Sequence, residues 1–450
     1  MMKKRILACI LVCAILISVS ASAASLSQNA SKTASYLKKT DYTYNADEFV
    51  MAGLTRLKTS LTASQKKAYA QSLKSALKAS NGVLDSRINT VYARVVIGLT
   101  AIGYDPVHFE GYDLTAPLKD TAKTVKQGLN GAIWALIALD SGEYIAGIGV
   151  RDAYVDKILE KEVKGGGFDL TGKRADPDVT AMALTALSRY TYRSDVAAAV
   201  KRGISKLSSM QLSDGGYMSY GVENPESAAQ VIIAMQALGI SLSDSRFVKQ
   251  KHTVQDGMMK FARTDGSFSH MDGGEANAFA SEQALLAMAA LTCGGNVYSF
   301  AAPAFSDMAN HEAREATTAL SKKGILNGFG DGTFRPDETM TRAQFAATVV
   351  RTLGLKEKKV SCFKDVSSSA WYAGYIGAAY EAGIILGRSA SVFDPEGTIT
   401  VVEAKIMLAR AAKVLKVKRT VPAWTANSPK ILRHQVAQEV YVLMGEAGKL

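Results

Sequence analysis

The 450-residue chain carries 53 Lys/Arg against 41 Asp/Glu, a formal charge of +12, and four cysteines. That length allows two or three domains. So few cysteines exclude a disulfide framework; no Cys/His cluster has zinc spacing, and neither a metal nor a cofactor is expected. The charge is uneven. From Ala301 onward there are 20 Lys/Arg against 14 Asp/Glu, and from Lys405 nine against two. Such a basic end suits a polyanion.

Lys3, Lys4 and Arg5 precede an apolar run, Ile6–Val19, and Ala21-Ser22-Ala23 supplies small residues after it. This is the grammar of a secretory signal peptide over residues 1–23. The run is too short and wrongly flanked for a membrane span, so no transmembrane anchor is expected. Leu7-Ala8-Cys9 lies at the start of the run instead of after it, which argues against a lipid anchor. Cys9 and Cys13 leave with the signal; Cys293 and Cys362 remain as partly buried thiols. For an exported chain the polyanion is a wall polymer sooner than a nucleic acid.

From Ser27 to Leu291 the sequence is rich in Ala and Leu with helical periodicity. It predicts about twelve helices, near 28–39, 46–60, 62–79, 87–102, 114–127, 129–141, 150–163, 177–190, 194–211, 225–239, 246–262 and 276–291. Every second one is poor in charge, as in VYARVVIGLTAIG and AAQVIIAMQALGI. The partners are amphipathic and Lys-rich, as in KKAYAQSLKSALKA. A helix apolar all round must be buried, so the alternation predicts two concentric layers. Six hairpins of this kind fit a mainly α fold, an (α/α)6 toroid over residues 24–299.

Glycine turns capped by an aromatic precede several inner helices: Gly165-Gly166-Gly167-Phe168, Asp214-Gly215-Gly216-Tyr217 and Asp265-Gly266-Ser267-Phe268. Glycine permits the reversal and the aromatic plugs the end of the helix pair. Leu207, Gln211 and Asp214-Gly215-Gly216-Tyr217 together resemble the Q…G-x-W repeat of the squalene cyclase and protein prenyltransferase toroids, with Tyr in place of Trp. The cobalamin-carrier toroids share that ring. The resemblance implies the ring, not a chemistry.

Asp176-Pro177-Asp178-Val179-Thr180-Ala181 is similar to the D-x-D-D-T-A motif of class II terpene cyclases. That resemblance would make Asp178 the general acid and Asp176 its neighbour. Protonating an alkene needs a desolvated acid with a polarising partner, and Val179 stands where the last Asp should be. One tryptophan, Trp134, remains in the ring, whereas cation-forming cyclases line their cavity with aromatics. The prenyltransferase zinc set of Asp, Cys and His is not matched around Cys293. The same residues also read as architecture: Asp176 at an N-cap, Pro177 at the first helical position and Asp178 in the first turn. Asn224-Pro225-Glu226 repeats that grammar. These departures favour a ring that is not an enzyme. Asp178, Glu226, Gln230, Glu282 and Gln283 all open inner helices, so they converge on one mouth and form a candidate ligand site for a small molecule or a protein partner.

Cys293–Ala304 ends the ring without a long linker. Residues 300–450 then hold a repeat: F-x-D, an apolar helix, G-I-x-x-G, a Gly-rich turn, F-x-P, and a helix opening with Thr. It runs over 305–355 and 363–417, and Asp307 and Asp365 lie 58 residues apart. The repeat resembles the S-layer homology (SLH) module that holds exported bacterial proteins on the cell wall. The resemblance implies an α-helical cluster of three motifs gripping an anionic secondary cell-wall polysaccharide, commonly pyruvylated. Arginine suits that task because its planar fork pairs both carboxylate oxygens. Carried over position by position, the polymer-binding residues are Asp307, Gly328 and Arg342 in the first motif and Asp365, Trp371 and Gly387 in the second. In the second motif Val401 replaces the arginine. Arg433 opens the matching helix of a third motif, 420–447, whose Asp-to-Arg distance leaves no room for the first helix or the glycine turn. The reading is thus a wall-attached protein displaying a non-catalytic, ligand-binding ring. The alternatives are an enzyme of the cyclase or prenyltransferase class, and a purely structural surface component.

Overall fold

The computed structural model describes residues 26–359, 363–418 and 430–450. The signal-peptide stretch, Cys362 and the Thr420–Trp424 opening of the third motif lie outside the described residues. Contacts divide the chain into two units that meet between Ala301 and Ala302.

The first unit is an α/α toroid. Its inner helices are α2 (Glu48–Arg56), α4 (Thr90–Ile102), α6 (Gly128–Ser141), α8 (Pro177–Leu187), α10 (Pro225–Ala237) and α12 (Ala278–Cys293). Each packs on the next, and α12 closes the circuit on α2. Between them run α1 (26–37), α3 (Ala63–Ala79), α5 (Thr121–Thr124), α7 (Val150–Glu160), α9 (Ser194–Met210) and α11 (Val254–Met259). The burial pattern follows from the two sequence types. In α12 every residue from Ala280 to Ala290 is buried, whereas α9 buries only Val196, Ala199, Val200, Gly203 and Leu207. The latter spacing is one face of a helix against the ring, with its lysines in water.

Two of the twelve expected helices are broken. Residues 114–127 contain a 3-10 turn at Ala116–Lys119, the single turn of α5 and a second 3-10 turn, because Pro117 and Gly128 interrupt the ladder. The stretch 246–262 is helical only over α11, after a 3-10 turn at Ser245–Phe247.

The turns behave as their composition requires. Phe168, Tyr217 and Phe268 are buried plugs, and the Tyr217 hydroxyl donates to Leu207 O at 3.1 Å. Thr180 and Ser281, each four residues after an N-cap, accept the amides of Phe168 and Phe268 through their hydroxyls. Gly215 has φ +89°, and a Cβ there would meet Thr253 O at 2.0 Å. Two short antiparallel hairpins, Met218–Ser219 with Val222–Glu223 and Phe268–Ser269 with Ala276–Asn277, lead into α10 and α12.

The second unit holds α13 (Arg314–Lys322), α14 (Arg342–Leu353), α15 (Ala373–Glu381), α16 (Val401–Val414) and α17 (Arg433–Glu446). The strands entering its three longest helices meet pairwise: Thr341 with Thr398, Thr400 with Lys430, and Leu432 with Thr339. They close a triangle, which is the pseudo-threefold centre of this unit. Thr341 and Thr400 each form a capping box, with Gln344 and Glu403.

Candidate active site and anchoring unit

The inner helices alternate with outer return helices, so their N-termini gather at one mouth of the ring. Asp176 caps α8: its Oδ1 accepts the amides of Asp178 (3.0 Å) and Val179 (3.1 Å), and Ser219 Oγ donates to its Oδ2 at 2.6 Å. The cap role belongs to Asp176, which leaves Asp178 uncommitted. Its Oδ1 is buried without a hydrogen-bond partner. Burial pushes the Asp178 carboxyl up to about 7; Ser227 opposes this, the Asp176 and Glu226 carboxylates reinforce it and His270 opposes it. Glu226, buried in the first turn of α10, faces His270 Nδ1 at 2.9 Å through Oε1. Its Oε2 and the Ser227 hydroxyl are buried with no partner.

The rest of the predicted set lies further round the same ring. Gln230 Nε2 donates to Gln283 Oε1 at 2.5 Å, tying α10 to α12. Glu282 is pushed up to about 7, first by burial, against Arg94, with Glu48 and Asp47 adding to the rise and Lys39 opposing it. The structure therefore brings Asp178 and Glu226 together and sets Glu282 in a second group with Glu48, Arg94 and Tyr69. In that group Arg94 Nη2 and Tyr69 Oη each donate to Glu48 at 3.1 Å, while Arg94 Nε is buried and unpartnered. Gly98 makes room for it: a Cβ there would meet Glu48 Cγ at 2.9 Å.

Sequence reasoning missed Glu48, Arg94, Ser227 and His270. The signal for Glu48 was present, since Asp47-Glu48 opens an inner helix as Asp176-Pro177-Asp178 does. His270 offered none, because only the Phe268–Asn277 hairpin carries it to Glu226.

Buried atoms left without a partner are uncommon in folded proteins, since each has a desolvation cost. Here Asp178 Oδ1, Ser227 Oγ, Glu226 Oε2 and Arg94 Nε all sit at the mouth. The charges at the far ends of the inner helices are matched instead: Arg151 with Asp140 at 2.8 Å, the Tyr190 hydroxyl on Asp140 at 2.9 Å, and Arg189 with Glu143.

In the second unit the matched positions are built into the fold. Asp307 accepts the amides of Phe334 (2.8 Å) and Arg335 (2.7 Å), and Asp365 those of Phe393 (2.9 Å) and Asp394 (2.6 Å). Gly328 and Gly387 are sterically required, since a Cβ would meet the Phe305 ring at 2.4 Å or Ser389 O at 2.3 Å. Arg342 and Arg433 occupy equivalent seats in a neighbouring motif. Arg342 Nε donates to Phe393 O at 2.8 Å and its Nη1 pairs with Glu403 at 2.5 Å. Arg433 donates to Phe334 O at 2.8 Å and Asn327 O at 3.1 Å. Both guanidinium groups lie 4.5 Å from the centroid of the phenylalanine whose carbonyl they hold. Trp371 is 56% exposed, beside Tyr372 and Tyr375.

The family model of the S-layer homology domain matches residues 304–346 and 363–400. This is a secreted cell-surface protein with S-layer homology motifs. The chain is 37% identical over 97 residues to a surface layer protein of Brevibacillus choshinensis, covering 20% of this chain and 9% of that one. It is 44% identical over 84 residues to endo-1,4-beta-xylanase A of Thermoanaerobacterium saccharolyticum, covering 18% of this chain and 7% of that one. It thus spans less than a tenth of these relatives. Among solved structures, unsaturated glucuronyl hydrolase of Bacillus sp. GL1, responsible for the degradation of glycosaminoglycan, matches 56% of this chain and 88% of its own, with a TM-score of 0.38 and 13% identity. Among the described residues no helix is long and apolar enough to cross a membrane.

The expectation that the ring is not an enzyme is corrected. A hydrolase is among the solved structures matched and a xylanase is among the relatives. The physical reason lies in Asp178. The sequence argument rested on Val179 replacing an acidic partner, on the single tryptophan and on the missing zinc set, yet α10 brings Glu226 across from the next hairpin to act on Asp178.

Proposed function

We propose that the protein is a glycan hydrolase held on the cell wall by its S-layer homology unit. The observation that carries this reading is Asp178, a carboxyl kept protonated up to about pH 7 with one buried oxygen awaiting a partner. An acid in that state is matched to proton donation near neutral pH. A pair of carboxyl groups flanking a glycosidic bond is the usual requirement for its hydrolysis. Asp178 gives its proton to the leaving-group oxygen as the glycosidic C–O bond breaks. Water adds to the anomeric carbon and gives a proton to Glu226, which His270 orients. The products are two sugar ends, and the two carboxyl groups exchange protons with solvent to return to their starting states.

The S-layer homology unit supports binding of an anionic secondary wall polymer, with pyruvyl carboxylates as the groups it grips. Because Arg342 and Arg433 hold neighbouring motifs, their contribution on this reading is to fix the fold of the unit, and the exposed Trp371 is its side chain for meeting sugar.

The test is release of reducing ends from purified wall polysaccharide by the secreted protein. Asp178→Asn should lower the rate at least about 100-fold with the fold intact by circular dichroism. An unchanged rate in that variant would sink the proposal.

A further inference from the structure

We infer that the glycan is acidic and that a cationic cleft beside the mouth binds its carboxylate-bearing sugars. This rests on the hydrolase reading and names its substrate class. A cleft of about 600 Å³ lies between the start of α8 and the last turns of α9, with Lys173, Arg174, Asp176, Lys206, Met218 and Tyr220 among the residues in its wall. Asp176 and Pro177, the N-cap and first residue of α8, are part of its lining, which puts the cleft at the end of the helix that carries Asp178.

Three cations and two carboxylates line the cleft, and they differ in how they are engaged. Two carboxylates border it, Asp169 and Asp176, and both are buried. Asp169 accepts the Thr171 amide at 3.0 Å, the Thr171 hydroxyl and the Lys173 amide. Asp176 is committed to the helix cap and Ser219. The cations are not matched: among the described residues Lys173, Arg174 and Lys206 face the cleft without a carboxylate pair, while Arg202, one turn before Lys206 on α9, is paired with Glu162 at 2.6 Å. Three unpaired cations around one concavity raise the local concentration of an anion, and the arginine fork fits a carboxylate.

Tyr220 adds the second feature. It sits at the tip of the Met218–Glu223 hairpin with φ +47°, followed by Gly221 at +86°. Positive φ at both residues is what a two-residue turn between the paired Ser219 and Val222 requires, and it holds the Tyr220 side chain at the hairpin tip. The ring is 77% exposed, and the Asp169, Asp176 and Asp178 carboxylates all act on its hydroxyl. An exposed aromatic held there offers a flat face to a sugar ring while the cations take its acid group.

The experiment uses the full-length protein carrying Asp178→Asn, which prevents turnover, and measures binding by calorimetry. The probes are an oligogalacturonate and a neutral xylo-oligosaccharide of equal length. The acidic probe should bind at least about tenfold more tightly at low salt, with the difference shrinking as ionic strength rises. Adding Arg174→Glu and Lys206→Glu, both on the surface, should weaken the acidic probe by about 30-fold and leave the neutral one unchanged. Tyr220→Ala, which reverses no charge, should weaken both. Equal binding of the two probes, or no response to the charge reversals, overturns the inference. Acid-selective binding by a protein whose wild type cleaves no wall glycan would overturn the hydrolase reading alone.

Discussion

Two aspartates separated by one proline end in different chemical states. Asp176 takes the helix amides and a serine hydroxyl; Asp178, the second residue of the helix, takes no helix amide and keeps one buried carboxyl oxygen without a partner. Its carboxyl and that of Glu282 both stand at about 7 in the folded protein, against ordinary values near 4. With a raised folded value, the unfolded chain loses its proton first as pH rises. Stability therefore falls between about pH 4 and 7 and stays lower above that, by up to about 4 kcal/mol for Asp178. The melting temperature of the ring should be lower at pH 8 than at pH 5, and Asp178→Asn should recover part of the loss at pH 8 while changing little at pH 4. If wild-type melting were flat over that range, Asp178 would not be protonated in the native state. On the proposed hydrolase reading, the wild-type rate should fall above about pH 7 for the same reason. In the second unit, removing the Arg342 guanidinium takes the buried donor from the Phe393 carbonyl and leaves Glu403 with Arg388 at 3.6 Å and its own cap. Arg342→Ala should cost the second unit about 3 kcal/mol, read as the fall in its denaturation midpoint.

Three hairpins of the ring, those leading into α8, α10 and α12, repeat a short grammar: glycine turn, buried aromatic, polar N-cap, apolar helix. These parts depend on nearest neighbours along the chain, so they were legible in sequence. Asp176, Asn224 and Asn277 cap α8, α10 and α12 through their side chains, and the aromatic plugs are buried as their placement implied. Where the grammar is interrupted, the element shortens, as in α5 and α11. The tightest crossing is between hairpins: Gly215 lies against Thr253 O, and Gly257 of α11 would place a Cβ 2.3 Å from Gly216 N. Gly215→Ala combines a left-handed backbone with that clash and should lower stability by about 2–4 kcal/mol. A chemical denaturation curve that matched wild type would show the turn to be more pliable than its packing implies.

At the scale of the whole molecule, ring closure and the three-helix triangle account for what local patterns left open. The triangle has a direction. The first motif's Arg342 sits in the second motif's seat, and the third motif's Arg433 sits in the first motif's seat. The second motif would have to reach the third, whose sequence lacks the glycine turn that forms a seat, and there the arginine is Val401. A missing seat makes a buried guanidinium costly, which gives the substitution a physical reason. Val401→Ala should then change stability by less than about 0.5 kcal/mol, in contrast to Arg342→Ala and Arg433→Ala. Full-length protein should be retained on purified sacculi at low salt and released as ionic strength rises; a chain found wholly in the supernatant would argue against the polymer as its ligand.

The sequence by itself determined the helical periodicity, the alternation of buried and half-buried helices, the caps and the S-layer homology skeleton, because each is written in residues a few positions apart. It could not decide what Asp178 does. Its state depends on Glu226 and His270, 48 and 92 residues further on, which reach it only through packing of consecutive hairpins. The arginines carry the same lesson, since a helix-opening Arg in the chain becomes a buried clasp once the neighbouring motif folds around it. Titration and burial arise from what surrounds a group in space, and that is settled only when the ring and the triangle close.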